Sequence, residues 1–159
     1  MWWQVGAGLY SFLIISIIGA IILAFVVGFP ATMSANIFIP TLVLVILLGT
    51  LLSLFLYAGV GLLAFWMEDI NPVFWIVDKA VMVLGGSYLP VALFPNSMYK
   101  AALYSPFGAS QFITHTVSEA WAKEWMTKIG IQIFWVFVAA IIVFFVFAKA
   151  REKVSVNGG

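Results

Sequence analysis

The sequence has no cysteine, one histidine and few charged side chains. The absence of cysteine excludes disulfides, thiolate metal sites and a cysteine nucleophile. One histidine without a cluster of acidic residues provides neither a metal site nor hydrolytic machinery, so we assign no catalytic residue and no bound cofactor. A formal net charge of +1 gives no basic surface for nucleic acid.

Apolar residues make up most of the chain. Of its 159 residues, 65% are hydrophobic and 8% are charged, and the mean hydropathy is +1.17. Soluble domains carry about 25% charged residues, and a soluble core of this size cannot hide so much apolar surface. The composition therefore predicts an all-α, polytopic membrane protein, formed by one transmembrane domain over residues 1–159.

Four apolar runs are long enough to cross a hydrocarbon core of about 30 Å, which requires about 20 helical residues. The first run has no basic n-region and exceeds the roughly 7–15 apolar residues of a signal peptide, so we interpret it as a retained span. Residues 30–40, with a proline at each end, predict a connection between the first two spans. The predicted spans are residues 3–29, 41–66, 73–94 and 129–148.

The first charges of the chain lie between the second and third predicted spans. Asn71 is a favourable N-cap residue, and Pro72 suits the first helical position, which needs no amide donor. Glu68 and Asp69 stabilise the positive end of the dipole of the helix that follows. These four residues predict a short turn between two helices on one side of the membrane.

The third predicted span carries two charged residues, Asp78 and Lys79, inside an apolar run. At the centre of a membrane helix the two charges would together cost about 5–7 kcal/mol. One interpretation places the pair near the membrane surface, about 9 Å along the helix from Pro72, where it stabilises the start of the helix. The other places it against protein or a wet cavity, as part of a transport pathway.

A helix break follows the charged pair. Gly85 and Gly86 weaken a helix, and Pro90 and Pro95 bend or end it. Broken helices at membrane depth are tolerated where protein shields them or where they line a cavity. We therefore predict a break near the outer exit of a pathway.

Residues 96–128 form the long polar region of the sequence. Glu124 and Lys128 are an acid-first pair at a favourable helical spacing, with two tryptophans beside them. The pattern predicts interfacial helices at the headgroups, with His115 as an interface residue rather than a ligand. Residues 149–159 form a polar tail whose concentration of Lys and Arg favours the cytoplasm, so an even number of spans places both termini there.

Several motifs occur together from residue 65 onward. They are the acidic turn FWMEDIN, the helix WIVDKAVMVLGG, the prolines of GGSYLPVALFP, the SPFG break, the long final span and the tail KAREKVSVNGG. In this order they resemble the membrane subunit of export-type ABC transporters, the type-2 permease family. The likeness covers about the last 95 residues and is closest to a bacterial branch linked in part to export of toxic cations or drugs.

The resemblance implies a function and partners. Family members have six spans, form dimers and bind a cytoplasmic ATPase subunit, so the spans here would correspond to the last four, with the first two missing. Glu68, Asp69, Asn71 and Pro72 would form a cytoplasmic coupling turn, and residues 90–125 an external cap. The chain would lie in the plasma membrane beside a second permease copy or a homologous permease. It would hydrolyse no ATP itself, because the partner subunit would bind the ATP.

Two other functions stay open at this point. Asp78 could couple transport to an ion gradient in a secondary transporter, although the sequence shows no inverted repeat. Alternatively, the chain could be a non-transporting membrane scaffold. Its small-residue faces would then serve only as helix contacts.

Overall fold

The structure, a computed structural model, describes residues 33–116, 118 and 120–157, and every regular element in this part of the chain is helical. The α-helices are α1 (Ala35–Leu62), α2 (Asn71–Leu84), α3 (Asn96–Tyr104), α4 (Pro106–Ala109) and α5 (Trp121–Asn157). Three 3-10 turns join them: Leu63–Phe65, Val91–Leu93 and Phe112–His115. The all-helical prediction is confirmed for these residues.

Two helical stretches are long and apolar enough to cross a membrane. They are Ala35–Phe65, with 31 residues, and Trp121–Lys153, with 33 residues. An 18-residue window within each has a mean hydropathy of 2.6 and 2.8, respectively. They correspond to the predicted second and fourth spans. The predicted first span, residues 3–29, lies outside the described residues. The described part of the chain therefore provides two candidate spans of the four predicted.

Helix α1 begins earlier than the sequence predicted. The predicted connection extends to Pro40, but the helix starts at Ala35 and contains Pro40 in its second turn. Pro40 has no amide hydrogen, so the carbonyl of Asn36 lacks its helical hydrogen bond. Asn36 is exposed, and its carbonyl is open to solvation. The Thr41 hydroxyl is satisfied within this turn, since it donates to the carbonyl of Ile37 at 2.9 Å.

Helices α1 and α5 run in the same direction, with α2 antiparallel to them. Contacts between α1 and α5 follow the same order along both: Val45–Gln132, Gly59–Val143 and Trp66–Lys153. The start of α2 lies beside the end of α1, because the rings of Tyr57 and Phe74 are 5.5 Å apart. The described chain therefore passes along this bundle three times.

Helix α2 is shorter than the predicted third span of residues 73–94. It ends at Leu84 after 14 residues, or about 21 Å, against about 30 Å for a hydrocarbon core. The chain continues through short helical pieces, which we name the 85–120 segment. The apolar run is therefore divided between a short helix and irregular structure that packs on protein.

The 85–120 segment packs against the α1 and α5 helices. A Cβ atom on Gly49 of α1 would lie 2.6 Å from the carbonyl oxygen of Ser110, so a side chain there would prevent this approach. Ala109 and Phe112 are completely buried. Close packing therefore positions residues 109–112 of this segment.

The predicted interfacial helices at residues 96–128 are only partly present. Helix α3 ends at Tyr104, and the SPFG sequence breaks the chain as predicted. The last part of the region, from Trp121 to Lys128, is instead the beginning of α5 and is continuous with the predicted span and most of the tail. The helix continues through these three parts because no proline or helix-stop glycine interrupts the chain between them.

A buried amide joins three elements of the bundle. Gln132 of α5 is completely buried. Its Nε2 donates to the carbonyl of Ala109 at 2.9 Å and to that of Val45 at 3.3 Å. Polar side chains that bond across helices stabilise association where apolar packing gives little specificity. Gln132 therefore fixes the register of α1, α4 and α5.

Candidate functional site

The charged pair of α2 contacts a tyrosine of α1. The Tyr57 hydroxyl donates to Asp78 Oδ1 at 3.2 Å, and Lys79 Nζ lies 3.4 Å from Asp78 Oδ2. The Asp78 side chain retains 20% of its accessible surface and that of Lys79 retains 45%. The carboxylate is therefore compensated by one cation and one hydrogen-bond donor and faces the α1–α2 contact.

Aromatic side chains surround the Lys79 ammonium group. Lys79 Nζ donates to the Tyr88 hydroxyl at 3.1 Å and lies 5.0 Å from the centroid of the Trp75 ring. A cation over an indole face is attracted by the ring quadrupole, and the attraction increases where water is excluded. These contacts, together with Asp78, hold the ammonium group although 45% of the Lys79 side chain remains exposed.

The location of Asp78 bears on both sequence interpretations of the charged pair. Asp78 lies about 10 Å from the start of α2, near one end of the bundle, yet it also faces protein through Tyr57. The sequence did not indicate Tyr57, because the contact joins residues 21 positions apart. A lone tyrosine within an apolar helix was the only signal for it.

Helix α2 ends in a complete hydrogen-bonded stop. The amide of Ser87 donates to the carbonyl of Met82 at 3.0 Å, and the amide of Gly86 donates to that of Val83 at 3.2 Å. Gly86 adopts φ +82°, a conformation that favours glycine. This pair of bonds with a left-handed glycine is the Schellman motif. The predicted break is therefore an ordered helix terminus.

The other break residues lie outside the helices. Pro90 precedes the Val91–Leu93 turn, and Pro95 precedes α3. Buried Gly85 accepts a hydrogen bond on its carbonyl from the Thr114 hydroxyl at 3.1 Å. The four predicted break residues thus lie in the connection between α2 and α3.

The predicted coupling turn lies at the opposite end of α2. Glu68, Asp69, Asn71 and Pro72 are all exposed, and Pro72 occupies the first turn of α2 as predicted. Asn71 is not the cap: it is the first helical residue. The N-cap position is Ile70, which has no side-chain capping bond. Asp69, one residue earlier, closes a local turn, since its Oδ1 accepts from the Asn71 amide at 2.9 Å and from the Asn71 side-chain nitrogen at 2.7 Å. A carboxylate is the better acceptor for these N–H groups.

A second polar cluster lies at the start of α5. Lys128 retains only 2% of its side-chain accessible surface and pairs with Glu124 at 2.9 Å. Its Nζ lies 5.8 Å from the centroid of the buried Trp121 ring. The rings of His115 and Phe112 are 5.2 Å apart. The pKa of His115 is lowered to about 4, mainly by burial and to a smaller extent by the nearby Lys128 ammonium, while Glu124 opposes the shift.

The stability of the protein is expected to fall as pH decreases from about 6.5 to about 4. His115 is neutral in the folded state, whereas an unfolded histidine gains a proton near pH 6.5. Protonation therefore favours the unfolded chain below pH 6.5, and the loss reaches at most about 3 kcal/mol before it levels off below pH 4. Thermal unfolding in detergent from pH 8 to pH 4 measures this loss of stability.

The His115→Gln variant is the matched control for this pH dependence. It keeps a polar side chain of similar size but does not titrate. The variant should lose the part of the pH dependence that lies between pH 6.5 and 4. The same slope in both proteins would show that other groups cause it.

The described residues contain no group of three His, Cys, Asp or Glu side chains that could hold a metal ion. Comparison of the chain with protein families, with curated proteins and with solved structures finds no match. The resemblance to type-2 permeases therefore stays a prediction. Function must be argued from the two polar clusters and from the helices that carry them.

Proposed function

We propose that the chain is the membrane-spanning permease subunit of an ATP-driven ABC exporter, which forms the translocation pathway as a dimer. The observation that carries the proposal is α2, a short helix with a compensated charged pair. One of its ends is an exposed acidic turn, and the other is an ordered stop at the 85–120 segment. The sequence resemblance to type-2 permeases is the second support.

Exposed apolar surface supports a lipid environment. Only 22% of the apolar window in Ala35–Phe65 and 11% of that in Trp121–Lys153 is buried within the protein. Phe137 and Phe144 of α5 expose 66% and 68% of their surface. A core helix of a soluble protein buries such side chains, whereas lipid covers them in a membrane. The proposed location is the plasma membrane, with multiple passes and both termini cytoplasmic.

The proposed mechanism assigns separate tasks to the two ends of α2. The turn at Glu68, Asp69, Asn71 and Pro72 would contact the cytoplasmic ATPase, since it projects exposed acidic side chains. Movement of the turn would be transmitted along α2, because Asp78 is bonded to Tyr57 of α1. The 85–120 segment would then move with Gly85, to which Thr114 is bonded. The ATPase would carry out all ATP chemistry.

Ion-coupled transport by Asp78 is the principal alternative. A proton-carrying acid must exchange its proton during the cycle, so its partners must release it. In this structure Asp78 is held by Lys79 and by Tyr57. These two contacts hold the Asp78 side chain in place, which favours a positioning role over a carrier role.

Two measurements on the full-length protein test the proposal. First, a protein with a GxxxxGK[ST] sequence should co-purify with it. The Glu68→Lys variant should weaken that association about tenfold, because it reverses a charge at the contact. Lys100→Glu is the matched control, since Lys100 is also exposed but lies in α3 within the 85–120 segment. It should have no such effect.

The second measurement follows uptake of ethidium, an organic cation, into inside-out vesicles. ATP should drive uptake, and a proton gradient without ATP should not. Asp78→Asn should reduce transport while leaving its dependence on ATP unchanged. Uptake that needs only the proton gradient and vanishes in Asp78→Asn would favour the secondary transporter. Absence of both a co-purifying ATPase and flux would favour a scaffold.

A further inference from the structure

The ends of α1 and α5 form an open pocket that neither charged cluster uses. Its volume is about 380 Å³, and its lining residues are Trp66, Lys149, Glu152 and Lys153. Lys153 Nζ lies 5.9 Å from the centroid of the Trp66 ring. Trp66, Lys149 and Lys153 are all exposed. The pocket therefore offers two ammonium groups and an indole to a ligand from outside.

The spacing of the two lysines favours an anion between them. Lys149 and Lys153 are four residues apart in α5, so they project from one side of the helix. Like charges at this spacing repel each other, and a bound anion would relieve the repulsion. Arg151 adds a positive charge in the same turn, against one acidic residue, Glu152. The helix end therefore keeps a local positive excess.

The position of the pocket along the helices identifies the source of the anion. Trp66 ends the apolar run of α1 just before the first charged residue of the chain, and Lys149 follows the apolar run of α5. Both runs end at the same end of the bundle, because Trp66 contacts Lys153. In a membrane, lipid phosphates lie at this boundary, and tryptophan is enriched there.

We propose that Trp66, Lys149 and Lys153 bind the phosphate of an anionic phospholipid. The inference rests on the membrane location given under the proposed function, but not on ATP-driven export. The lining residues carry two lysines and one glutamate, a net charge of +1 that one lipid phosphate neutralises, so a headgroup that adds its own cation, such as choline, fits less well. The indole contributes an N–H donor and a flat surface against which the headgroup can lie.

Native mass spectrometry of the purified full chain in detergent tests this site. Phosphatidylglycerol and phosphatidylcholine are titrated separately, and bound lipid is counted per chain. A lysine near a membrane surface strengthens attraction to anionic lipid by about fivefold in affinity. The Lys149→Gln/Lys153→Gln variant should therefore bind phosphatidylglycerol roughly 20–30-fold more weakly, and phosphatidylcholine almost as before.

The matched control is Lys100→Gln/Lys123→Gln, which removes the same charge from two exposed lysines elsewhere on the protein. This control should bind phosphatidylglycerol as the native chain does. Trp66→Leu should weaken binding without changing the net charge. An equal loss in both double variants would overturn the site, because it would show only an effect of total charge. Equal binding of the two lipids by the native chain would also overturn it.

The experiment separates this inference from the proposed function. It needs no ATPase and no transported substrate. Selective lipid binding in a chain that recruits no ATPase would keep the site and reject the exporter. Loss of lipid selectivity in a chain that still recruits an ATPase would reject the lipid site and keep the exporter.

Discussion

Replacing Gly108 with alanine is expected to destabilise the protein by about 1–3 kcal/mol. A Cβ atom at this position would overlap the carbonyl oxygen of Ala102 and lie 2.8 Å from its carbonyl carbon. It would also lie 3.1 Å from the carbonyl oxygen of Leu84, at the end of α2. Backbone carbonyls cannot rotate away as flexible side chains can, so α2, α3 or α4 would have to move.

The control for this substitution is Gly130→Ala. No atom lies within 4 Å of the Cβ position at Gly130, which is in the middle of a helix. Alanine there should be neutral or stabilise the helix by up to about 1 kcal/mol. Thermal unfolding of both variants in detergent, followed by tryptophan fluorescence, compares them. A similar melting temperature for the two would mean that the 85–120 segment packs less closely than described.

Local chemistry made several elements predictable from the sequence. The SPFG break is one, because Pro106 begins a new helical turn and the Ser105 hydroxyl oxygen accepts a hydrogen bond from the Gly108 amide at 3.1 Å. The turn before α2 is another, because Pro72 occupies its first turn. The N-cap was predicted at Asn71, but it is Ile70, which has no side-chain capping bond. The sequence favoured Asn71 because asparagine is a preferred capping residue and isoleucine is not.

Long-range contacts could not be predicted in this way. The sequence predicted a break after the charged pair but not its form, an ordered stop in which Gly86 adopts a left-handed backbone and Gly85 is bonded to Thr114. The burial of Lys128 was also not predicted, because the sequence around it has the pattern of an exposed interfacial helix. Gln132 gave one signal, a lone amide in an apolar run, which in a membrane indicates an interhelical bond.

Glu124→Gln is expected to be more damaging than removal of its partner. The Lys128 side chain is almost completely buried, and Glu124 is its ion-pair partner at 2.9 Å. Removing the carboxylate leaves a buried ammonium group with only the Trp121 ring, 5.8 Å away, to compensate it. Breaking a buried pair costs about 3–5 kcal/mol. Because Glu124 is partly exposed, we expect a loss of about 2–4 kcal/mol.

Lys128→Met should cost less, about 1 kcal/mol or less, because an apolar chain of similar length fills the space and Glu124 can turn towards solvent. The double variant Glu124→Gln/Lys128→Met should therefore resemble Lys128→Met rather than the sum of the two single variants. Glu124→Gln is expected to be the more destabilising change because the two side chains are buried to different extents. The lysine is 2% exposed and the glutamate 44%.

Lys123→Met provides the matched control, since Lys123 is exposed in the same turn of α5. Its stability should stay within about 0.5 kcal/mol of the native chain. Thermal unfolding of the four variants at pH 8, where His115 is neutral, separates the ion pair from the histidine. If Glu124→Gln is as mild as Lys123→Met, water reaches Lys128, and the start of α5 behaves as the exposed interfacial helix that the sequence suggested. If it is the most damaging of the four, the buried ammonium group anchors α5 to the 85–120 segment.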